Sequence, residues 1–255
     1  MAPSGFSARI QRLARHVGNP RDLPALVWKN LTLPFTAQGA ELRYDRQHGI
    51  DTAGCVDTPD LGLSREVAQR GTLYDATPPR IAEFLIGKIA ERAKDFTFVD
   101  VGSGKGRVLL IAAQFPFRKV VGLEHSALLN EVAAENIRRF ARLHPGAPAI
   151  EVVTGDATRL PLPDGPLVLF LYNPLCSDAM RDFGAAIKTS WQAQPRKIIC
   201  IYYNPAHSSE LLESGIFPVQ QILDRPRDPS DRHAALPLKA LLLETADDDT
   251  GVRAA

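Results

Sequence analysis

The fold of this chain is decided by residues 98–107, "FVDVGSGKGR", where an apolar run ends in a glycine-rich turn and a second apolar pattern begins. Residues 96–101 predict a short buried strand, and residues 107–115 predict a helix behind it. Glycines between a strand and a helix allow a tight turn and let a ligand approach the backbone closely. The segment therefore predicts a strand, a turn and a helix, with a ligand at the turn.

The same alternation continues along the chain on both sides of this unit. Residues 78–93 predict an amphipathic helix that begins at proline, and residues 126–143 and 177–194 predict two longer helices. Further strands are predicted at residues 119–124, 150–154, 167–172 and 197–203, and a closing hairpin at residues 217–223 and 238–244. Strands that alternate with helices favour an α/β fold, with a doubly wound and mostly parallel sheet covered on both faces.

Three acidic residues, Asp100, Glu124 and Asp156, stand at the ends of three successive predicted strands. Ligands of such sheets bind beyond the carboxyl ends of the strands. The Gly-x-Gly-x-Gly spacing differs from the dinucleotide fingerprint, and Asp100 would repel a pyrophosphate but suits an ammonium or sulfonium group. Glu124 can accept ribose hydroxyls, and Asp156 can accept from an adenine amino group while Ala157 packs on the ring. Each acid alone is also a common cap or turn residue.

The motifs "FVDVGSGKGR", "VVGLEHS", "GDA" and "LYNPL" together resemble the successive motifs of class I S-adenosylmethionine-dependent methyltransferases. The resemblance covers residues 72–245 and implies a Rossmann-like sheet of seven strands whose last strand is antiparallel. It also implies S-adenosylmethionine as the cofactor. By this resemblance the methionine part of the cofactor is lined by Gly102, Ser103, Gly104 and Gly106. Asp100 lies near its amino end, Glu124 holds the ribose, Asp156 and Ala157 hold the adenine, and His125 touches the adenine or caps the next helix.

The segment "GTLYDATPPRIAEFL" is similar to the lead-in segments of lysine methyltransferases that lack a SET domain. In those enzymes a tyrosine and a threonine help to close the cofactor pocket, and Tyr74 and Thr77 are the matching residues here. Thr77 also suits the N-cap position of a helix that starts at the following prolines.

Two stretches, "LYNP" and "YYNP", end the strands predicted at residues 167–172 and 197–203. The residue before proline favours extended geometry, so Asn-Pro is expected to lead the chain out of a strand. In the resemblance, Asn173 and Pro174 present carbonyl oxygens that orient a nitrogen acceptor. Leu175 and Cys176 replace the second proline and the aromatic residue of that family motif, so Tyr172, or Tyr202 and Tyr203 from the adjacent strand, would supply an aromatic wall. For Asn204 a structural turn is the preferred interpretation.

The chain is expected to divide into a helical and lid extension (residues 1–71), a catalytic domain (72–245) and a flexible tail (246–255). The first 20 residues are basic and without acids, and an amphipathic helix is preferred over a mitochondrial presequence. A second helix is predicted over residues 19–30. Residues 44–63 show no periodicity and predict an ordered loop. This loop is either a lid that contacts substrate or a network of turns, and the residues concerned are Tyr44, Asp45, Arg46, Asp51 and Thr52.

Composition excludes several classes of function. The net charge of +1 gives no reason to expect nucleic acid as a partner. No apolar run approaches the ~20 residues of a membrane span. The cysteines are three and widely spaced, and the histidines are dispersed, so neither disulfides nor a metal site is expected. These features predict a cytoplasmic protein.

The sequence predicts an S-adenosylmethionine-dependent methyltransferase that methylates nitrogen, in a protein lysine or a small amine, by in-line displacement. The partner is then a protein or small-molecule methyl acceptor. A small-molecule O-methyltransferase is the nearest alternative. A non-catalytic cofactor-binding module is a further one, and a nicotinamide-dependent oxidoreductase is disfavoured by the glycine spacing and by Asp100.

Overall fold

The computed structural model describes residues 37–234, 236 and 238–246. The helices are α1 (37–48), α2 (Arg65–Arg70), α3 (Pro79–Gly87), α4 (Arg107–Ala112), α5 (Ala127–Leu143), α6 (Ser177–Ala193) and α7 (Ser208–Leu212). The strands are β1 (Cys55–Val56), β2 (Tyr74–Asp75), β3 (Thr97–Val101), β4 (Lys119–Glu124), β5 (Ile150–Thr154), β6 (Leu167–Tyr172), β7 (Ile198–Tyr203), β8 (Val219–Leu223) and β9 (Ala240–Glu244). Short 3-10 turns occupy Thr58–Leu61 and Glu91–Ala93.

The main sheet has seven strands in the order β5-β4-β3-β6-β7-β9-β8. Strands β3 to β7 run parallel to their neighbours, whereas β9 is antiparallel to both β7 and β8. The strand order reverses beside β3, because the chain goes outward through β4 and β5 and then returns to β6 on the other side. This is the doubly wound, Rossmann-like arrangement of the prediction, and ligands bind where such an order reverses.

The two faces of the sheet carry separate cores because successive side chains of a strand point to opposite faces. On one face Phe98 and Phe170 pack under α3 and α4. On the other face Val99 and Leu169 pack under α6, with Phe183 in the same cluster. Both faces are apolar, which accounts for strands that read as continuous hydrophobic runs.

Helix α1 corrects the prediction of a loop beginning at residue 44, because Tyr44, Asp45 and Arg46 are helical. The buried face of α1 includes the carboxylates of Glu41 and Asp45. A helix whose inner face is charged has no apolar periodicity to detect. The helices predicted over residues 1–20 and 19–30, and the tail after residue 246, lie outside the described residues.

Within the part of the chain that the structure describes, no helix is both long enough and apolar enough to span a bilayer.

Candidate active site

A cleft opens at the carboxyl ends of β3, β4 and β6 and is covered by the segment from Leu61 to Thr77. Of the residues predicted from sequence, those that line it are Tyr74, Thr77, Asp100, Gly102, Ser103, Glu124, His125, Ala157, Tyr172 and Pro174. Topology brings most of these residues together, since β3, β4, β5 and β6 end at the same edge of the sheet, and the lead-in segment adds Tyr74 and Thr77 from above. The cleft therefore lies where the sequence predicts a ligand.

The glycine turn is shaped for close contact with the segments above it. Gly102 has φ 76° and Gly104 has φ 53°, in the left-handed region that other residues rarely adopt. A Cβ on Gly102 would lie 2.7 Å from Cβ of Pro174, and one on Gly104 would lie 2.3 Å from the ring of Tyr74. Both glycines thus allow the end of β6 and the lead-in strand β2 to approach the turn.

Asp100 is a buried carboxylate on the floor of this cleft. Its side chain makes no hydrogen bond to another described residue. Burial, and secondly the charge of Glu124, raise the pKa of Asp100 well above its usual range. A carboxylate in this situation is stabilised by a cation, so it can hold a group that brings positive charge.

Glu124 at the end of β4 is linked to the glycine turn. Its Oε2 accepts from the backbone N–H of Gly104 at 2.9 Å, and its Oε1 accepts from that of Ser126 at 2.8 Å. Ser126, not His125, caps helix α5, because its hydroxyl accepts from the backbone N–H of Leu129 at 3.3 Å. His125 is therefore left to line the cleft.

Asp156 is not among the residues that line the cleft, whereas its neighbours Gly155 and Ala157 are. Burial opposes ionisation of Asp156, but hydrogen bonds from the hydroxyl and backbone N–H of Thr158 lower its pKa overall. His125 Nε2 lies 3.6 Å from its Oδ1. The carboxylate serves as a turn residue, and an adenine contact through Asp156 remains a proposal.

The residues Asp45, Thr52 and Arg107 form a buried network between α1 and α4. Asp45 accepts from the hydroxyl of Thr52 at 2.6 Å, and Arg107 Nε donates to that hydroxyl at 2.7 Å. Arg107 also donates to the carbonyl of Thr77 at 3.2 Å, and the Tyr74 hydroxyl donates to the carbonyl of Thr52 at 2.6 Å. The structure shows a network of this kind, and contact of these residues with a substrate stays a prediction.

Three details differ from expectation around this network. Thr77 does not cap helix α3, whose N-cap is Pro78. Arg46 donates to the carbonyl of Leu42 on its own helix, and its side chain is part of no cleft contact. Asp51 is solvent-exposed and pairs with Lys105 at 2.9 Å.

Asn173 and Asn204 both adopt left-handed backbone geometry, with φ 46° and 51°. This corrects the expectation of extended geometry before proline, and asparagine is among the few residues that tolerate this region. Asn173 Oδ1 accepts from the Tyr202 hydroxyl at 3.3 Å, and Asn173 is absent from the lining of the cleft. The carbonyl of Pro174 accepts from the backbone N–H of Thr72 at 3.2 Å. Both oxygens expected to face an acceptor already have partners.

Tyr203 is fully buried and packs against Tyr172 with the two rings tilted and their centroids 4.7 Å apart. It therefore cannot contact a substrate directly, which corrects its assignment to the substrate-binding residues. Tyr172 lines the cleft, and its hydroxyl donates to Oδ2 of Asp75 at 3.3 Å.

Sequence reasoning missed Asp75, which lines the cleft beside Tyr172. Its Oδ2 lies 3.0 Å from Nε2 of His233, and its Oδ1 lies 3.5 Å from Nε of Arg232. The available signals were the position of Asp75 next to Tyr74 and the long connection between β8 and β9, because long loops often carry function. No group of three or more His, Cys, Asp or Glu among the described residues is placed to hold a metal ion.

Residues 99–176 match the family model described as "Methyltransferase domain". The chain is an S-adenosylmethionine-dependent methyltransferase. The match spans the glycine turn, all three acidic residues at the strand ends and the Asn-Pro at the end of β6.

Solved structures that resemble this methyltransferase share the fold at low sequence identity. A precorrin-8w decarboxylase of Methanobacterium thermoautotrophicum is 21% identical, with 65% of this chain and 89% of that one covered and a TM-score of 0.44. The methyltransferase domain of a bacterial Hen1 is 10% identical, with 66% and 98% covered and a TM-score of 0.49. TrmN of Thermus thermophilus is 16% identical, with 66% and 49% covered and a TM-score of 0.45. No curated protein matches the sequence.

The cleft of the methyltransferase fits the cofactor on its own chemistry. Asp100 presents a buried carboxylate that forms no ion pair with any residue in the described part of the chain, which suits the ammonium and sulfonium groups of the methionine part. Because Gly102 and Gly104 carry no Cβ, Pro174 and Tyr74 pack closely on the turn beside the cleft, and Glu124 presents a carboxylate at the end of the neighbouring strand.

Proposed function

We propose that this methyltransferase transfers a methyl group to a primary amine, in a protein lysine or a small molecule. The observation that carries the proposal is the carboxylate of Asp75 beside the hydroxyl of Tyr172, in the cleft at the end of β6. An amine that arrives as an ammonium ion can be bound by a carboxylate in a partly buried site.

The charges around Asp75 favour a cation. Arg232 forms a two-point ion pair with Glu41, to which its Nε and Nη2 donate at 3.1 and 2.8 Å. Its Nε also lies 3.5 Å from Oδ1 of Asp75. Two carboxylates thus share one guanidinium, so this corner carries a net negative charge whenever His233 is neutral. An ammonium ion restores neutrality, whereas an acidic acceptor would be repelled.

In the same proposal Glu124, His125 and Ala157 would hold the adenosine of the cofactor, and Asp100 would hold its methionine part. S-adenosylmethionine supplies a sulfonium-bound methyl group. Because β4 and β5 lie on one side of β3 and β6 lies on the other, the acceptor occupies the side of Tyr172 and Asp75.

In this proposal Asn173 and Pro174 act by positioning other parts of the cleft. Pro174 packs against Gly102, so the strand exit presses on the glycine turn. Thr72 donates its hydroxyl to the carbonyl of Asn173 at 3.0 Å and its N–H to that of Pro174. These bonds hold the covering segment over the cleft and orient whatever binds beneath it.

An oxygen acceptor is the second candidate, and a specific observation favours it. The two carbonyl oxygens that would orient an amine, Asn173 Oδ1 and the backbone oxygen of Pro174, already accept from Tyr202 and Thr72. An oxygen nucleophile needs fewer hydrogen-bond acceptors to orient it than an amine does.

Isotope transfer decides between the candidates. The protein is incubated with methyl-labelled S-adenosylmethionine and a cell extract, which is then split into protein and small-molecule fractions. We expect label in N-methyl groups that survive mild alkali. Label in alkali-labile methyl esters or in methyl ethers would contradict the nitrogen proposal, and absence of transfer despite cofactor binding would favour a binding module.

The contribution of Asn173 is tested by Asn173→Gly, which keeps the left-handed backbone but removes the side chain. Under the proposal turnover falls far more than cofactor affinity. Asn204→Gly is the matched control at the second Tyr-Asn-Pro, and it should change neither. Equal losses of turnover and affinity in Asn173→Gly would show a purely structural role.

A further inference from the structure

Methyl transfer to an amine leaves one proton to remove, and the structure contains one route for it on the acceptor side. An ammonium acceptor must lose a proton to expose its lone pair. The new nitrogen–carbon bond then forms as the sulfur–carbon bond breaks, and the sulfur keeps the bonding electron pair. The released proton needs a base in the cleft and a path to water.

Most titratable side chains that line the cleft are unsuited to this task. Burial raises the pKa values of Tyr74 and Tyr172, so both remain protonated phenols. Arg107 is a buried cation already engaged with Thr52. Glu124 is held by two backbone N–H groups, and Asp100 lies on the methionine side of the glycine turn.

Asp75 differs from these groups because its carboxylate lines the cleft and also contacts a side chain that is partly exposed to solvent. On the cleft side its Oδ2 accepts from Tyr172, a donor that keeps the carboxylate in place. On the far side the same oxygen lies 3.0 Å from Nε2 of His233, and the side chain of His233 is 36% exposed, against 14% for Asp75.

We propose that Asp75 is the proton acceptor of the reaction and that His233 passes the proton on to solvent. This inference rests on the proposed function, in which the acceptor is an amine that arrives protonated. Asp75 takes the proton from the acceptor nitrogen, His233 accepts it at Nε2 from the carboxylate, and the ring releases it to water. A base whose orientation is set by a third group, here Tyr172, is a recurrent catalytic arrangement.

The connection between β8 and β9 holds His233 in place. Its backbone N–H donates to Oδ1 of Asp231 at 2.8 Å, and its carbonyl accepts from Arg225 at 3.1 Å. Arg225 in turn pairs with Asp231. The backbone is therefore fixed independently of the imidazole, so the side chain can be removed without loss of the loop.

Chemical rescue tests the relay, with the full-length protein and the acceptor identified by label transfer. We expect His233→Ala to lower kcat by about 10²- to 10³-fold and to leave S-adenosylhomocysteine affinity unchanged. Added imidazole should restore turnover in proportion to its concentration, because the ring sits at the surface. His233→Gln keeps a hydrogen bond to Asp75 but cannot carry a proton, so it should be as slow as His233→Ala.

Two further variants test whether the effect of His233 is specific to the relay. Asp75→Asn removes the acceptor in the cleft, so its activity should be lost and imidazole should not restore it. His207→Ala is the matched control, because His207 also faces a carboxylate, that of Glu210 at 3.5 Å, outside the cleft. It should behave like the wild type.

The outcomes separate the relay from the proposed function. Wild-type methylation of an amine that is unaffected by His233→Ala overturns the relay alone. A slow His233→Ala variant that imidazole does not rescue overturns it as well, since a structural role then suffices. Methylation of oxygen, slowed by His233→Ala and rescued by imidazole, overturns the nitrogen proposal and keeps the relay. A wild type without turnover on any acceptor overturns both.

Discussion

Asp100 is a buried residue that combines a cost in stability with a proposed binding role. Its folded-state pKa is raised by burial and by Glu124. A carboxyl group of this kind stabilises the fold fully only below its unfolded pKa. That stability is lost as the pH rises through the folded pKa, because ionisation then occurs in a buried place.

Asp100→Asn should therefore make the protein more stable than the wild type at pH 8, and this advantage should shrink toward pH 4. The same change removes the negative charge offered to the cofactor, so affinity for S-adenosylmethionine should fall. Urea unfolding at several pH values and calorimetry measure the two effects. A variant that is less stable at every pH would contradict the assignment of an uncompensated buried charge.

Gly104 provides a second prediction at the scale of single residues. Alanine there meets the Tyr74 ring and adopts φ 53°, whereas alanine at Gly49 has a similar φ of 65° with nothing within 4 Å. Left-handed strain alone costs about 1–3 kcal/mol. We expect Gly104→Ala to lose more stability than Gly49→Ala, and also to weaken cofactor binding.

A double variant isolates the contact at Gly104. If the ring is the obstacle, Gly104→Ala should cost less in a Tyr74→Ala background than in the wild type, as thermal unfolding would show. Equal costs in both backgrounds would assign the whole effect to the backbone.

At the scale of elements, Arg107 connects helix α1, the loop after it and the lead-in to α3. Its guanidinium is almost fully buried and contacts Asp45, Thr52 and Thr77. Removal of one partner from a buried pair leaves a charge without compensation, which typically costs about 3–5 kcal/mol. Helix α1 therefore belongs to the same cooperative structure as the glycine turn.

Arg107→Met should lower the free energy of unfolding by about 3–5 kcal/mol and expose residues 37–54 to proteolysis. Arg138→Met is the matched control, because Arg138 pairs with Glu135 on the exposed face of α5, and little change is expected there. Chemical denaturation together with limited proteolysis measures both. An Arg107→Met protein of normal stability would show that α1 is held by other contacts.

At the scale of the whole molecule, cofactor binding should stabilise the fold, because the cleft is assembled from five separated parts of the chain: the lead-in segment and the ends of β3, β4, β5 and β6. At S-adenosylhomocysteine 100-fold above its dissociation constant, the free energy of unfolding should rise by about 2.7 kcal/mol. For a chain of this size that corresponds to roughly 5–10 °C in melting temperature.

The ligand-dependent shift should disappear in Glu124→Gln and persist in Glu151→Gln, an exposed carboxylate on β5. Scanning calorimetry with and without ligand measures the shift. A full shift in Glu124→Gln would remove Glu124 from the cofactor site.

The sequence by itself determined the order of strands and helices, the sheet class and the glycine turn with its acidic neighbours. These features are local: apolar runs specify buried strands, and a strand followed by glycines specifies the turn wherever it occurs. Only the tertiary structure decided which polar groups meet. His233 contacts Asp75, which is 158 residues away in the sequence, and Arg107 contacts Asp45, which is 62 residues away. No local pattern records such pairs, because they arise when separate loops converge at one edge of the sheet. For the same reason the side chain of Asn173 pairs with Tyr202, and Asp75 is the carboxylate that lines the cleft beside Tyr172.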